Sequence, residues 1–70
     1  MFKQLEGVKF KHFKGNEYII ICIAKHTEID DYMVIYQDVS SAKIWARPFK
    51  MFFDVVDKPE YKGPRFIKIS

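Results

Sequence analysis

Seventy residues, 49% apolar and 17% aromatic, predict one domain (1–70) near the lower size at which burial offsets chain entropy, so its core must be dense. A net charge of +3, twelve Lys+Arg against nine Asp+Glu, excludes the one-signed field of a dedicated nucleic-acid binder but not a local basic site. The single Cys22 excludes an internal disulfide, and the longest apolar run, residues 18–24, is too short to cross a bilayer. With no apolar leader in residues 1–6, a cytoplasmic protein without a membrane partner is expected.

Residues 1–6 read as a frayed helical turn or an extended arm, ended by Gly7. From Val8 the pattern alternates strictly, Val8-Lys9-Phe10-Lys11-His12, which puts Val8, Phe10 and His12 on one face of a first strand and the lysines on the other. Lys14-Gly15-Asn16 supplies the turn. Residues 17–27 are the second strand, apolar on both parities from 18 to 24. That pattern predicts burial on both faces, or a bend that serves two packed sheets.

Glu28-Ile29-Asp30-Asp31 reads as a loop and Tyr32-Met33-Val34-Ile35-Tyr36-Gln37 as the third strand. After the polar connection 38–42, a fourth strand carries Lys43, Trp45 and Arg47 on one face and Ile44 and Ala46 on the other. Pro48 ends it, because proline cannot donate to the ladder but suits the start of a helical turn. Phe49 and Phe52, three apart, would then stack on one side of a single turn and plug the core. Residues 54–57 read as a short strand, 58–64 as an exposed loop, and Arg65-Phe66-Ile67-Lys68-Ile69 as the last strand.

These elements make the fold all-β: a small SH3-like or tudor-like barrel of about five antiparallel strands, with one helical turn after the fourth. The alternative, an oligonucleotide-binding barrel, inserts a helix between its third and fourth strands, where this chain has only residues 38–42.

Over nearly its full length the chain resembles a family of short bacterial proteins catalogued only as domain of unknown function sixteen-fifty-three. The resemblance rests on His12-Phe13-Lys14-Gly15, Tyr18, Ala24-Lys25-His26-Thr27-Glu28, Val34-Ile35-Tyr36-Gln37, Trp45-Ala46-Arg47-Pro48-Phe49-Lys50-Met51-Phe52 and Pro64-Arg65-Phe66. It implies a stand-alone module, sometimes joined to other domains, and no activity. The chain departs from the family pattern at Val39-Ser40-Ser41-Ala42, where a glycine is expected, and in its longer 57–63 loop.

No catalytic constellation stands out. Cys22 and His26 lie about 13 Å apart along an extended strand, too far for a thiol and its base, so Cys22 is expected in the core. His12, Cys22 and His26 lack the paired spacing of a zinc site, and the acidic 28–31 loop is expected to be solvated, so neither metal nor cofactor is expected. Gly7, Gly15 and Gly63 are scattered singly and form no phosphate loop. The basic-aromatic run 9–14 reads as an amphipathic strand rather than a nucleic-acid strip.

The set that carries most chemistry is Lys43, Trp45 and Arg47, a Trp between two cations, suited to stack a ring and hold an anion. The packing alternative, preferred for Trp45 itself, buries it beneath the Phe49 and Phe52 turn. His26, Thr27 and Glu28 end one strand and Tyr36 lies on the next, giving either a polar pocket with Arg47 or Arg65 or a structural network.

The leading expectation is a non-enzymatic binding module that recognises an extended ligand, nucleic acid or peptide, through Tyr36, Trp45 and Arg47 with His26, Glu28 and Arg65 at the margin. One alternative is a small hydrolase or ligand-processing domain with His26 as base oriented by Glu28. Another is a homo-oligomer built by edge pairing of the last strand, so a monomer or a weak homo-oligomer is expected.

Overall fold

A computed structural model describes residues 2–70, so the first residue of the expected arm, Met1, lies outside the described residues. A 3₁₀ turn (η1, Lys3–Leu5) leads into β1 (Lys9–His12), β2 (Glu17–His26), β3 (Asp31–Asp38) and β4 (Ile44–Pro48). One helical turn (α1, Phe49–Phe52), a β5–β6 hairpin (Val55–Lys58, Tyr61–Pro64) and β7 (Phe66–Lys68) complete the chain. The expected helical turn therefore sits directly after the fourth strand.

β1, β2, β3, β4 and β7 form one antiparallel sheet in the order β4-β3-β2-β1-β7. Directly opposed residues of antiparallel strands project from the same face, so the register sorts the side chains. Phe10 faces Tyr18, Ile20 faces Tyr36, Val34 faces Arg47, Tyr36 faces Trp45 and His12 faces Phe66. These residues make the inner face. Phe10, Ile20, Val34, Tyr36, Phe52 and Phe66 form the buried cluster, with Leu5, Val8, Tyr18, Ile23 and Phe49 packed against it.

The doubly apolar β2 is explained by an irregularity rather than by two covered faces. The β2–β3 register shifts between Ile20 and Cys22, and a bulge of this kind exchanges the two faces of a strand. Ile23 takes the inward position opposite Val34, while Cys22 lies opposite Ile35, half-buried on the outer face. Cys22 is thus not the core residue expected of it.

A second correction concerns 58–64, expected as a loop. Tyr61–Pro64 pairs with Val55–Lys58 as a hairpin, because Pro59 falls in the turn and Pro64 at a strand end, where a missing N–H does no harm. Tyr61 anchors the hairpin by stacking on Phe13, with ring centroids 5.0 Å apart and planes 12° apart.

The large sheet is strongly curled. In a flat sheet β3 and β7 stand three strands, about 14 Å, apart, yet the Tyr36 and Phe66 rings are 5.8 Å apart. Phe52 of α1 fills the hollow, fully buried and stacked on Phe66 at 4.0 Å and 3°. Phe52→Ala should remove about 3–5 kcal/mol, a large part of the roughly 5–15 kcal/mol typical of a domain, and a urea titration reads this directly.

The β3–β4 turn is held by Asp38, whose carboxylate accepts from the Ser40 N–H (2.8 Å), the Ser40 hydroxyl (2.9 Å) and the Ser41 N–H (3.1 Å). It closes through Ala42 at φ +63°, a left-handed conformation that suits glycine and strains alanine. The missing family glycine therefore matters here. Ala42→Gly should stabilise the domain by about 0.5–1 kcal/mol, the strain relief outweighing glycine's entropy, and should raise the melting midpoint by a few degrees.

Candidate ligand-binding face

Tyr36 and Trp45 are direct cross-strand partners on the inner face, and Arg47 follows two residues later on the same side. Tyr36 is buried, whereas Trp45 is 47% exposed. This corrects the expectation that Trp45 packs beneath the helical turn. β4 is an edge strand, and Phe52 rather than Trp45 occupies the middle of the core. The Lys43 Nζ stands 5.8 Å from the centroid of the Trp45 ring.

Arg47 is half-buried, its Nε donating a long 3.4 Å hydrogen bond to the Tyr36 hydroxyl and its Cζ 5.8 Å from the Phe66 centroid. The two edge strands of the curled sheet thus meet through this pair, and no ladder pairing joins β4 to β7 among the described residues. Arg47 has no carboxylate within ion-pair distance among them, unlike Arg65. Arg65 makes a bidentate pair with Asp54, Nε–Oδ1 2.7 Å and Nη2–Oδ2 3.2 Å. The Arg65 hydrogen bond holds the Asp54 carboxyl below the usual carboxylate range, and the Arg47 charge adds to this.

His12 completes this cationic end. Its ring lies 4.9 Å from Phe66 and 4.6 Å from Phe13, and its Nδ1 accepts the Lys14 N–H at 3.1 Å. Burial, followed by the charges of Arg47, Arg65, Lys14 and Lys58, lowers its pKa below the ordinary 6.5. Next to it, the Phe13 ring has the Lys14 Nζ at 5.9 Å and the Lys58 Nζ at 5.6 Å. A rim of rings and cations therefore runs from Trp45 over Arg47 and Phe66 to His12 and Phe13.

His26 and Glu28 are not part of this rim. His26 follows Cys22 and Ala24 on the outer face, at the far end of β2. Its Nδ1 accepts the Glu28 backbone N–H at 3.0 Å, while the Glu28 carboxylate accepts the Thr27 hydroxyl at 3.2 Å. The expected six residues thus divide into Tyr36, Trp45, Arg47 and Arg65 on one side and His26 and Glu28 on the other. The members that sequence reasoning missed are His12, Phe66 and Asp54. Alternation did put His12 on the Phe10 face, but the β1–β7 pairing that brings it to Phe66 is non-local.

A shallow depression between the β1–β2 and β3–β4 turns is lined by Gly15, Asn16, Glu17, Val39 and Ser40. It offers no cation and one carboxylate, so the chemistry lies at the rim instead.

The family profile described as "Protein of unknown function (DUF1653)" matches residues 8–68. The chain belongs to the DUF1653 family. The crystal structure of a DUF1653 protein from Bordetella bronchiseptica is similar at 25% identity and a TM-score of 0.77, covering 91% of this chain and 85% of that one. A search of curated proteins finds no match. The match spans every DUF1653 element described above from β1 to β7, including the Trp45–Phe52 segment that builds the rim.

Because the folded His12 binds its proton less readily than the unfolded chain, His12 favours folding fully above pH 6.5, and that contribution falls as pH drops below 6.5. In an NMR titration His12 should titrate below 6.5, and Arg47→Gln should move it back towards that value by removing one of the four charges. The depressed Asp54 carboxyl adds stability above its ordinary value of 3.8 that is lost as pH falls through the lower folded value. Asp54→Asn should flatten this acid-side loss in melting curves recorded against pH.

Proposed function

We propose that this DUF1653 domain is a binding module, acting by recognition rather than chemistry, that takes a single-stranded nucleic acid along the Trp45–Arg47–His12 rim. The observation that carries the reading is the pairing of a half-exposed Trp45, flanked by Lys43, with Arg47, which lacks a carboxylate partner among the described residues. An exposed indole offers a base a stacking platform. A guanidinium without an ion-pair partner among the described residues and partly shielded from water offers a phosphate bidentate hydrogen bonds. Lys14, Lys58 and Arg65 extend the positive field along the same end, as their joint effect on His12 attests. The absence of a dense overall charge fits a short footprint of one or two phosphates. Against the hydrolase reading, the His26 Nδ1 and the Glu28 carboxylate are each engaged elsewhere.

A ¹H–¹⁵N titration with short single-stranded DNA and RNA at low and high salt tests this. The expected result is shifts at the Trp45 indole, Arg47 and Tyr36 that weaken with salt. Trp45→Ala should reduce affinity by roughly 5- to 150-fold, from a stacking contribution of about 1–3 kcal/mol, without unfolding the domain. Arg47→Gln should lower the salt slope by about one. Shifts confined to Lys9, Lys11 and Lys14, or none at low salt, overturn the proposal. A response to extended peptides but not to oligonucleotides replaces the ligand class.

A further inference from the structure

On the outer face of the five-stranded sheet β2, β3 and β4 carry an apolar patch, bordered by Lys9 and Lys11 of β1. Its cross-strand rows read Ile19–Gln37–Ile44, Cys22–Ile35–Ala46 and Ala24–Met33–Pro48, with Ile67 opposite Lys11 at the β7 edge. Ile21, Ile44 and Ile67 are exposed, at 40%, 61% and 43%. The named packing of α1 and η1, through Phe52, Phe49 and Leu5, falls on the inner side. Ile19, Ile35 and Ile44, neighbours on β2, β3 and β4, form an apolar patch on this open face, and such a patch marks an interaction surface.

The charges at the two ends of this face differ in sign. At the end of the β1–β2 turn stand Lys9 and Lys11 on the outer face and Lys14 in the turn, with Glu17 opposite Lys11. At the β2–β3 turn stand Glu28, Asp30 and Asp31 with His26, and only Asp30 is neutralised, by Lys25. One end is basic and the other acidic.

We infer that the outer face is the contact between two copies of this chain, packed sheet to sheet about a two-fold axis that lies across the strands. That axis sets the basic end of each copy over the acidic end of the other, with the Cys22–Ile35–Ala46 and Ala24–Met33–Pro48 rows between them. A two-fold axis along the strands would instead oppose like charges. Laid flat, five strands about 4.8 Å apart and five residues of about 3.3 Å rise span roughly 400 Å² per copy, and the curl of the sheet brings the contact below this, to less than half of the ~800 Å² per partner of a standard interface. The dimer is therefore weak and reversible, and it uses a different surface from pairing along the β7 edge.

Sedimentation equilibrium of the full chain from about 10 μM to 1 mM tests the inference, with the interface mapped by concentration-dependent amide shifts. The expected result is a concentration-dependent dimer, with shifts on Ile35, Ile44 and Ile67. Ile44→Lys should weaken it at least tenfold, with its fold verified by an unchanged melting midpoint. The paired charge reversals Lys9→Glu/Lys11→Glu and Glu28→Lys/Asp31→Lys should each lose self-association, while their equimolar mixture regains it as a heterodimer. Misfolded variants would not rescue one another, so recovery shows that charge complementarity, and not loss of folding, decides the association. A chain that stays monomeric at 1 mM overturns the inference. So does a dimer indifferent to Ile44→Lys, or charge variants whose mixture remains monomeric.

Discussion

The stack of Phe52 on Phe66 is the contact on which the rest depends. Phe52 comes from one helical turn and Phe66 from the last strand, and their rings lie 4.0 Å apart and nearly parallel. Phe52 also meets Phe10 and Tyr36, and Phe66 meets Tyr18, Tyr36 and His12. Two rings thereby hold β1, β2, β3, β7 and α1 around one point. Without a disulfide, a chain of this size needs such a concentration of aromatic contact, because each ring removes about 150–250 Å² from water.

The same stack shapes the ring-and-cation rim. By drawing β7 under the sheet it brings Phe66 beneath the Arg47 side chain, although β4 and β7 are the sheet's opposite edges. Arg47 is then partly withdrawn from water at a place where no carboxylate of the described residues reaches it. Arg65, one residue before Phe66, has Asp54 as a partner, and the two arginines differ accordingly. One is a structural strut tying β7 to the α1–β5 junction, and the other keeps its hydrogen-bonding capacity. The pKa of His12 is depressed first by burial and then by the charges of Arg47, Arg65, Lys14 and Lys58 around it.

Much of the fold was legible because the local signals agree. Strict alternation at 8–12 gave β1 its inward Phe10 and outward lysines, and Pro48 followed by Phe49 and Phe52 gave the strand end and the inward turn. The failures lie where local rules conflict or distance intervenes. A bulge at Ile21 is invisible in a run of isoleucines that fits either parity, so Cys22, expected in the core, lies half-buried on the outer face instead. Two prolines in 58–64 argued against a hairpin whose strands place them where they do no harm. Trp45 was expected to be buried beneath the helical turn, but its exposure depends on which strand lies at the edge, and strand order is not written in any single segment. Tyr36, Trp45 and Arg47 share a face by two-residue periodicity and were found together. Joining His26 and Glu28 to them required both faces of the sheet to be one surface.

The bulge that misled the sequence reading also explains how one short sheet can present two distinct surfaces. It lets β2 turn Tyr18, Ile20 and Ile23 inward while leaving Ile19, Cys22 and Ala24 outside, so neither face has to interrupt its apolar pattern. The inner face, closed by Phe52, ends in the ring-and-cation rim; the outer face curves the other way, is apolar across β2, β3 and β4, and is charged oppositely at its two ends. Because the surfaces lie on opposite sides of the sheet, a second copy on the outer face leaves Trp45 and Arg47 uncovered. Sheets packed about 10 Å apart would then carry two rims directed away from each other. Were both proposals to hold, a ligand strand would have to pass around the dimer edge to engage both, so short ligands would fill each rim independently and only long ones would gain from the pairing.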